Sequence, residues 1–310
     1  MSNPIRIASR KSPLAMWQAE YIKNSLLAIY PDIEVEILGL TTKGDKLLDS
    51  PLAKIGGKGL FVKELENKIL DKSADIAVHS MKDVPVFLPE GLEIAAITKR
   101  DDPRDAFVSN EFRSFLDLPK NSIVGTSSLR RQSQLLAQRP DLQIKSLRGN
   151  VNTRLLKLDK KEYDAIILAA VGLKRLQLEN RITEYFDQNK FIPAIGQGII
   201  GIECRKDDFE LKNLLNSLHD KETAICLEAE RAMNERLNGG CQVPIGGHAQ
   251  LHDEMISIKG IVGSTQGEKI ISADRFGSKD DATKLGCQLA DELIKNGADV
   301  ILESLYEKNK

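Results

Sequence analysis

Several features that mark particular classes of protein are missing from this chain of 310 residues. The four cysteines are scattered and form no C-x-x-C pair, which argues against a disulfide framework and against a thiolate zinc site. No run of about 18 apolar residues is present, so no membrane span is expected. The first residues contain no basic segment followed by an apolar stretch, so no signal peptide is expected. We therefore predict a cytoplasmic protein with no metal site and no membrane partner.

A strong net charge of either sign is missing as well. The formal net charge is −1, so no overall electrostatic field draws the chain to nucleic acid or to a membrane. Hydrophobic residues make up 41% of the chain, which is enough for a globular protein to bury true cores. At roughly 100–200 residues per domain, the length indicates two or three domains. Any electrostatic specialisation must therefore be local.

Hydrophobic periodicity predicts an α/β protein whose last third changes character. Strand and helix patterns alternate at first, which favours largely parallel sheets with helices on both faces. Three successive strand patterns and one helix then indicate a small α+β domain with an antiparallel sheet. The predicted strands cover residues 5–9, 33–40, 75–79, 92–97, 106–109, 123–125, 142–145, 165–169, 244–251, 256–262 and 269–274. The predicted helices cover residues 13–29, 60–70, 128–138, 150–158, 221–238 and 279–295.

Basic residues are concentrated between positions 120 and 158, where eight Lys and Arg residues accompany a single acid, Asp141. Arginine forks match carboxylates or phosphates with paired hydrogen bonds. Proteins that bind single-stranded nucleic acid usually add aromatic side chains for stacking, and this stretch contains no Phe, Tyr or Trp. A solvated basic face and an RNA-binding patch are the alternatives. The pattern favours a small or oligomeric ligand that carries carboxylates or phosphates.

Polar residues also follow three predicted strands, at the ends where open α/β sheets bind their ligands. They are Ser9-Arg10-Lys11, Ser80-Met81-Lys82-Asp83 and Thr126-Ser127-Ser128. The third group opens a helix, and a helix N-terminus offers free N–H groups and a positive dipole end to an anion. Asp83 could act as a general acid or base or stabilise a cationic intermediate, and the alternative is a turn or cap aspartate. His79 is interpreted as a structural residue, because no other histidine lies at ligand spacing.

Two glycine-rich segments resemble nucleotide-binding motifs without meeting their requirements. Residues 196–201 contain G-x-G-x-x-G, but no clear strand precedes this motif and a strand rather than a helix follows it. Residues 56–59 read Gly-Gly-Lys-Gly and lack the spacing of a phosphate-binding loop. We therefore exclude a nicotinamide or flavin site as the main function.

Cys241 lies in a loop with glycines on both sides, Asn238-Gly239-Gly240-Cys241-Gln242-Val243-Pro244. The glycines let the backbone approach a ligand closely, whereas the other three cysteines have the apolar neighbours of small buried residues. A nucleophilic cysteine would need a histidine partner such as His248 or His252, whereas an attachment point needs only access. The residues leave both roles open.

Taken in order, the motifs resemble those of the porphobilinogen deaminase family, also called hydroxymethylbilane synthases. The resemblance runs from one end of the chain to the other. It rests on Ile7-Ala8-Ser9-Arg10, Thr41-Thr42-Lys43-Gly44-Asp45, Gly56-Gly57-Lys58-Gly59-Leu60-Phe61, Val78-His79-Ser80-Met81-Lys82-Asp83, Gly125-Thr126-Ser127-Ser128-Leu129-Arg130-Arg131, Leu147-Arg148-Gly149-Asn150 and Gly239-Gly240-Cys241-Gln242-Val243-Pro244. Departures are few: Lys43 stands where arginine is common, and Ile199-Ile200 replace smaller residues.

The resemblance implies two periplasmic-binding-protein-like α/β domains around a cleft and a small C-terminal α+β domain. Domain 1 would hold residues 1–98 and 193–218 with the catalytic aspartate. Domain 2 would hold the arginine-rich residues 99–192, and domain 3 would hold residues 219–310 with the cysteine loop. The return of the chain to domain 1 would make residues 196–201 a hinge.

The resemblance also implies the reaction. Four porphobilinogen units would lose ammonia and join head to tail into hydroxymethylbilane, in porphyrin and haem biosynthesis. The chain would grow on one dipyrromethane cofactor, bound through a thioether to Cys241, by way of oligopyrrole intermediates. Cys241 would then be an anchor rather than a turnover nucleophile, so neither His248 nor His252 is needed. The alternative, a solute-binding protein with two α/β lobes, requires no covalent adduct. No nucleic acid takes part, and a monomer is expected.

Site residues carry over by position in matching motifs. Asp83 would be the catalytic residue that stabilises the cationic azafulvene left after the loss of ammonia. Each pyrrole carries an acetate and a propionate, which arginines and hydroxyl groups would bind. The expected cofactor-binding residues are Cys241, Ser80, Lys82, Asp83, Thr126, Ser127, Ser128, Arg130, Arg131, Arg148, Gly149 and Gly172. The expected substrate-binding residues are Arg10, Ser12, Phe61, Arg148, Arg154, Arg175 and Gln197.

Overall fold

The computed structural model of the protein describes residues 4–42, 62–240 and 243–307. Thirteen strands and nine α-helices lie within these ranges. The strands are β1 (Ile5–Arg10), β2 (Val35–Leu40), β3 (Ile76–Ser80), β4 (Leu92–Ile97), β5 (Asp105–Val108), β6 (Ile123–Gly125), β7 (Gln143–Lys145), β8 (Ala165–Ala169), β9 (Glu184–Tyr185), β10 (Ile200–Arg205), β11 (Ile245–His252), β12 (Met255–Gly263) and β13 (Ile270–Ser278). The helices are α1 (Pro13–Ile29), α2 (Lys63–Leu70), α3 (Leu129–Gln138), α4 (Val151–Asp159), α5 (Ala170–Arg175), α6 (Phe209–Leu215), α7 (Lys221–Arg236), α8 (Ala282–Lys295) and α9 (Ala298–Glu307).

These elements form two compact units. The first consists of residues 4–42, 62–101 and 198–224. The second consists of residues 102–197 and 225–307. Each unit contains an α/β sheet, and the second also contains a small antiparallel sheet with its own helices. The expected fold class, two α/β sheets with a C-terminal α+β part, is therefore confirmed.

The sheet of the first unit has the strand order β2-β1-β3-β10-β4. β1 is parallel to both β2 and β3, in agreement with the alternating strand and helix patterns. β10 is antiparallel to β3 and to β4, so this sheet is mixed rather than largely parallel. Its position between β3 and β4 is invisible to local periodicity, because β10 comes from a segment that returns to the sheet much later in the chain.

Helices cover both faces of this first sheet. On one face, Ala19, Ile22 and Leu26 of α1 share one side of the helix and pack into a core with apolar residues of β1, β3 and β10. On the other face, Leu65 and Ile69 of α2 pack against small residues of β1 and β3. Buried on both sides, β3 begins with three successive apolar residues, Ile76, Ala77 and Val78, whereas β1 alternates apolar residues with Arg6 and ends in Ser9 and Arg10.

The second unit contains another mixed sheet, in the order β7-β6-β8-β5-β9. β6 is parallel to β7 and β8, whereas β5 is antiparallel to β8 and β9. Phe107 and Leu135 belong to the core on one face, and Leu155 and Leu168 belong to the core on the other. As in the first unit, the sheet carries apolar contacts on both sides.

The C-terminal strands β11, β12 and β13 form the predicted antiparallel sheet. Helix α8 packs against β12 and β13 around a separate core, and the final helix α9, which the sequence analysis missed, contacts β12. Helix α3 also contacts all three strands, and Gln132 Nε2 on α3 donates a 3.0 Å hydrogen bond to Thr265 O. These contacts explain why residues 225–307 belong to the same compact unit as residues 102–197. The division into three domains with the stated boundaries stays a prediction.

No helix within residues 4–42, 62–240 and 243–307 is long and apolar enough to cross a membrane. In the same ranges, no group of three or more His, Cys, Asp or Glu residues is arranged to hold a metal ion.

The first unit encloses a cluster of ionisable side chains. His79 Nε2 lies 2.9 Å from Glu203 Oε2, and both side chains are almost fully buried. Glu203 Oε1 has no hydrogen-bond partner in the described part of the chain. Glu66 on α2 is buried as well. Burial, together with the nearby charge of Glu203, raises the pKa of Glu66 to about 7, while His79 and Lys63 oppose the rise.

We expect Glu66→Gln to stabilise the protein at mildly alkaline pH. The folded state holds the Glu66 proton more tightly than the unfolded chain does, so this contribution to stability is complete at low pH and lost as the pH rises to about 7. Glutamine resembles the protonated carboxyl at every pH and avoids a loss on the order of 2 kcal/mol. Urea unfolding at about pH 5 and about pH 8 measures the difference.

Glu34→Gln, at an exposed position, serves as the matched control and should keep the wild-type pH dependence. The expectation fails if wild type and Glu66→Gln lose stability equally between the two pH values.

Candidate active site

The segment after β3 folds into a single 3-10 turn, Met81–Asp83. Met81 is buried, and its N–H donates a 3.0 Å hydrogen bond to Ile199 O, just before β10. Gly201 lies so close to this turn that a Cβ there would overlap the Met81 sulfur. The buried methionine fixes the turn, and Lys82 and Asp83 are left half-buried at the strand end.

Arg10 lies at the same edge of the first sheet as this turn, because β1 and β3 are parallel neighbours and end on the same side. Ser80 Oγ accepts a 2.8 Å hydrogen bond from Nε2 of Gln18, a buried residue of α1. Ser12 precedes α1 in an extended conformation, and its side chain does not cap the helix. In the first unit the structure thus brings together five predicted site residues, namely Arg10, Ser12, Ser80, Lys82 and Asp83.

In the second unit, Thr126, Ser127 and Ser128 connect β6 to the N-terminus of α3. Ser128 is the N-cap residue, and its Oγ accepts a 3.4 Å hydrogen bond from the Arg131 N–H. Thr126 Oγ1 accepts a 3.1 Å hydrogen bond from the Ser128 N–H. Ser127 is exposed, and its Oγ donates to Leu147 O at 2.8 Å. These hydrogen bonds hold the hydroxyl groups in place around the first turn of the helix.

The loops after β7 and β8 lie at the same sheet edge as Thr126, because β6, β7 and β8 are parallel neighbours. Arg148 and Gly149 follow β7. Gly172 and Arg175 are buried on α5, which begins directly after β8. The predicted cofactor-binding residues that the structure describes in the second unit therefore share one edge.

The loop that carries Arg148 has a demanding backbone. Gly149 has a φ of 114°, a conformation that L side chains rarely adopt, and a Cβ there would lie 2.7 Å from Thr153 Cγ2. The Gly149 carbonyl accepts a 2.8 Å hydrogen bond from Arg154 Nε, and Asn150 Oδ1 caps α4 by accepting from the Thr153 N–H at 2.9 Å. Burial lowers the pKa of the half-buried Arg148 guanidinium, so a nearby anion would be favourable.

Arg130 and Arg131 are buried at only 3% and 6% exposure, and both are paired with Asp105, which is fully enclosed. Arg130 Nη1 donates to Asp105 Oδ2 at 2.7 Å, and Arg131 donates to Asp105 Oδ1 from Nε at 3.1 Å and from Nη2 at 2.7 Å. Burial alone would raise the pKa of Asp105, but the two guanidinium groups hold it well below its usual range. This carboxylate is therefore charged within the unit.

Gln197 joins the same cluster. Its Nε2 donates to Asp105 Oδ1 at 3.0 Å and to Pro103 O at 2.6 Å, and the residue is 1% exposed. Its Oε1 is buried without a hydrogen-bond partner in the residues that the structure describes. The expected substrate contact of Gln197 stays a prediction, whereas its contact with Asp105 is observed.

The basic stretch 120–158 thus divides into different environments. Arg139 Nη2 pairs with Asp141 Oδ2 at 2.7 Å and also donates to Leu118 O, which makes it part of the local surface. Lys145 is exposed, as a solvated basic face requires. The interpretation as a solvated basic face does not hold for the arginines at the sheet edge and in the Asp105 cluster.

Phe61 and Cys241 lie outside the described residues. Leu237 and Val243, which lie before and after Cys241 in the chain, both belong to the C-terminal core. A Cβ placed on Gly240 would meet no atom of the described residues within 4 Å, its own chain neighbours apart.

Comparison with known families identifies the chain. It matches the model described as porphobilinogen deaminase, dipyromethane cofactor binding domain, over residues 5–213. It also matches the porphobilinogen deaminase C-terminal domain over residues 224–295. The chain belongs to the porphobilinogen deaminase family. The enzyme is a transferase of tetrapyrrole biosynthesis that acts on porphobilinogen, uses a dipyrromethane cofactor and makes hydroxymethylbilane. This assignment replaces the alternatives of a solute-binding protein and an RNA-binding protein.

Solved structures of periplasmic proteins show a loose likeness to the enzyme. The aliphatic sulphonate-binding protein SsuA of Escherichia coli is 12% identical, with 77% of this chain and 71% of that chain covered and a TM-score of 0.42. An ABC-transporter substrate-binding protein of Coxiella burnetii is 12% identical, with coverages of 70% and 92% and a TM-score of 0.43. The BvgS VFT2 domain of Bordetella pertussis is 16% identical, with coverages of 69% and 86% and a TM-score of 0.40.

The donor groups at the edge of the second sheet fit a cofactor that carries carboxylates. They combine a capped helix N-terminus, exposed and half-buried hydroxyl groups, and arginines on the neighbouring loop. Guanidinium, hydroxyl and N–H groups are the partners that carboxylates require, and no acidic side chain lies among the predicted contacts of this unit.

Asp105 and Gln18 bind predicted site residues, Arg130 and Ser80, but were not themselves predicted from the sequence. Asp105 directly precedes the apolar Ala106-Phe107-Val108, and an acid at the start of a buried strand signals a buried partner. Gln18 gave no comparable signal, because a polar residue on an amphipathic helix is ordinarily exposed.

We expect Gly149→Ala to destabilise the protein by about 1–3 kcal/mol, because alanine is strained at this φ and its Cβ meets Thr153. Urea unfolding measures the loss. Gly39→Ala is the control: there the nearest atom belongs to the flexible Lys11 side chain, at 3.1 Å, so a smaller loss is expected. Equal losses in the two variants would contradict the special role of the Gly149 conformation.

Proposed function

We propose that this enzyme joins four porphobilinogen units head to tail on a dipyrromethane held by a thioether to Cys241, with Asp83 as the catalytic residue. The observation that carries the proposal is the fixed turn at the end of β3. It presents one carboxylate and one ammonium group beside Ser80 at the edge where open α/β sheets bind ligands.

Asp83 has the position and charge to stabilise a cation. When porphobilinogen loses ammonia, positive charge develops on the pyrrole of the substrate. A half-buried carboxylate interacts with this charge more strongly than a solvated one and can also accept a hydrogen bond from the pyrrole N–H. The burial of Met81 and its hydrogen bond to Ile199 O hold the backbone of the turn that carries this carboxylate.

The basic residues have a separate role, which is to hold the acetate and propionate groups of the pyrroles. We assign this role to Arg10 and Lys82 in the first unit and to Arg148, Arg154 and Arg175 in the second. The hydroxyl groups of Thr126, Ser127 and Ser128 add hydrogen bonds near the positive end of α3. We keep Phe61 and Gly172 as proposed contacts of substrate and cofactor.

When bound, the cofactor supplies the terminal pyrrole carbon to which the first substrate unit is joined. Cys241 holds that group throughout the cycle and takes no part in turnover. Leu237 and Val243, on either side of Cys241 in the chain, are buried in the C-terminal core, which supports this role.

We further propose that the enzyme is a cytoplasmic monomer with the three domains named above. The lack of a paired-cysteine pattern supports the cytoplasm. Within the described residues, the large exposed apolar side chains belong to many different elements, which supports a monomer.

Cys241→Ser should remove the covalent cofactor, because the serine hydroxyl does not replace the thiolate in forming the thioether. Intact mass measurement of the purified chain should show wild type heavier than its sequence by one dipyrromethane, and Cys241→Ser at its sequence mass. Cys287→Ser, which changes a half-buried cysteine on α8, is the control and should keep the added mass. An active wild-type preparation at its bare sequence mass would rule out the anchor.

Asp83→Asn should lower turnover by roughly 10²–10³-fold while the chain keeps its cofactor and its stability. The asparagine preserves the size of the side chain and removes only the charge that stabilises the cation. Turnover is measured per cofactor-loaded chain, with loading taken from the intact mass. Asp71→Asn, an exposed aspartate of the same unit, should leave turnover unchanged. If Asp83→Asn turned over at the wild-type rate, Asp83 would have no place in the mechanism.

A further inference from the structure

The two buried arginines of α3 are held in different ways. All three nitrogens of the Arg131 guanidinium donate hydrogen bonds, with Nε and Nη2 bound to Asp105 Oδ1 and Nη1 bound to Ile167 O at 2.8 Å. Arg130 uses Nη1 alone, for Asp105 Oδ2 and for Ile192 O, both at 2.7 Å. Asp105 and the backbone carbonyls thus satisfy the Arg131 guanidinium far more completely than that of Arg130.

Two nitrogens of the Arg130 guanidinium are therefore not used as hydrogen-bond donors by its described neighbours. Its Nε and Nη2 make no hydrogen bond to any residue that the structure describes. With two arginines and one aspartate, the cluster also retains one excess positive charge. Burial, together with the nearby charge of Arg131, lowers the pKa of Arg130 although Asp105 opposes the shift, so a further anion would favour its charged form.

The Asp105 carboxylate only accepts hydrogen bonds and is shielded from solvent. Any effect on a ligand must therefore pass through the side chains that bind Asp105. Its Oδ1 accepts from Arg131 and from Gln197, and its Oδ2 accepts from Arg130. It compensates the repulsion between two guanidinium groups that would otherwise be buried side by side. Removal of its charge would displace the arginine that is held less completely, which is Arg130.

We propose that Asp105 is a positioning residue of this enzyme, which, together with Arg131 and Gln197, holds Arg130 with Nε and Nη2 ready for a carboxylate of the cofactor or the growing pyrrole chain. In this arrangement Arg130 is the ligand-binding arginine of the pair. Arg131 and Gln197 help to hold Arg130 in place. Of the three residues that the family motifs assign to cofactor or substrate, only Arg130 would then bind a carboxylate directly. The proposal rests on the proposed function.

The test measures the cofactor occupancy of the purified chain by intact mass. It compares variants that change the net charge of the cluster formed by Asp105, Arg130 and Arg131. Asp105→Asn leaves two uncompensated guanidinium groups, and Arg131→Gln leaves Arg130 neutralised by Asp105. Each single variant should lower occupancy at least fivefold. The double variant Asp105→Asn with Arg131→Gln restores one excess positive charge, so its occupancy should exceed that of both single variants. Arg130→Gln should abolish occupancy in every background.

A purely structural role for Asp105 would also allow rescue, because the double variant removes an uncompensated buried charge. The KM of cofactor-loaded chains therefore separates the two roles, since only the positioning role raises KM on chains that are folded and loaded. If Arg131 itself bound a carboxylate, the double variant would be no better than Arg131→Gln, and that result would overturn the proposal. The comparison between the double variant and Arg131→Gln is valid even if Asp105→Asn alone does not fold. Arg139→Gln, in the same basic stretch but paired with Asp141, is the control and should keep full occupancy.

Two failures can be told apart. Wild type without the added mass would contradict the covalent cofactor and therefore the proposed function. Wild type with the added mass and Asp105→Asn with equal occupancy would contradict the positioning role alone. On loaded chains, Asp105→Asn should raise KM at least fivefold with less change in kcat, because binding rather than chemistry is disturbed.

Discussion

In the second unit, helix α3 is joined to the α/β sheet through the buried carboxylate of Asp105. Asp105 receives hydrogen bonds from Arg130 and Arg131 on α3 and from Gln197, and these arginines in turn bind the carbonyls of Ile192 and Ile167. The cluster therefore ties α3 to β5, to β8 and to the segment that leads toward β10. A buried ion pair need not add stability, yet removal of one partner costs about 3–5 kcal/mol because a bare charge is left behind. The direction of α3 depends on this constraint.

The direction of α3 determines where the functional groups of the unit lie. Its N-terminus carries Thr126, Ser127 and Ser128 at the edge where β6, β7 and β8 end together. The same helix packs against the C-terminal sheet, whose first strand follows the loop of Cys241. One helix is therefore in contact with both the donors for carboxylates and the sheet next to the proposed anchor. The first unit uses a simpler device, a 3-10 turn fixed by a buried methionine.

The sequence predicted the strand ends well because periodicity and turn residues are local properties. The loops after β1, β3 and β6, and the strand that follows the glycines at 196–201, all lie where the pattern indicated. The antiparallel insertion of β10 could not be predicted in the same way, since strand partners far apart in the chain leave no trace in either strand's periodicity. Family resemblance, rather than pattern, suggested the return of the chain.

The burial of Arg130 and Arg131 was the feature of the site that was hardest to predict from the sequence. A run of basic residues is usually a solvated face, and that interpretation holds for Arg139 and Lys145. It fails for the other two because their compensating acid, Asp105, lies outside the basic stretch and meets them only in three dimensions. Counting charge along the sequence therefore overstated the positive excess of the stretch. Only the folded arrangement shows how much of it is left for a ligand.

The way in which Arg130 is held also affects specificity for carboxylates. A flexible basic surface attracts any polyanion, whereas a guanidinium fixed by one nitrogen offers its remaining donors in one plane and one direction, which suits a planar carboxylate. The substrate brings acetate and propionate groups at regular intervals, so rigid donors can recognise each new pyrrole by the same geometry. Because the proposed anchor holds the chain covalently, these donors need not retain it against dissociation. Their binding energy is then free to orient each pyrrole that is added.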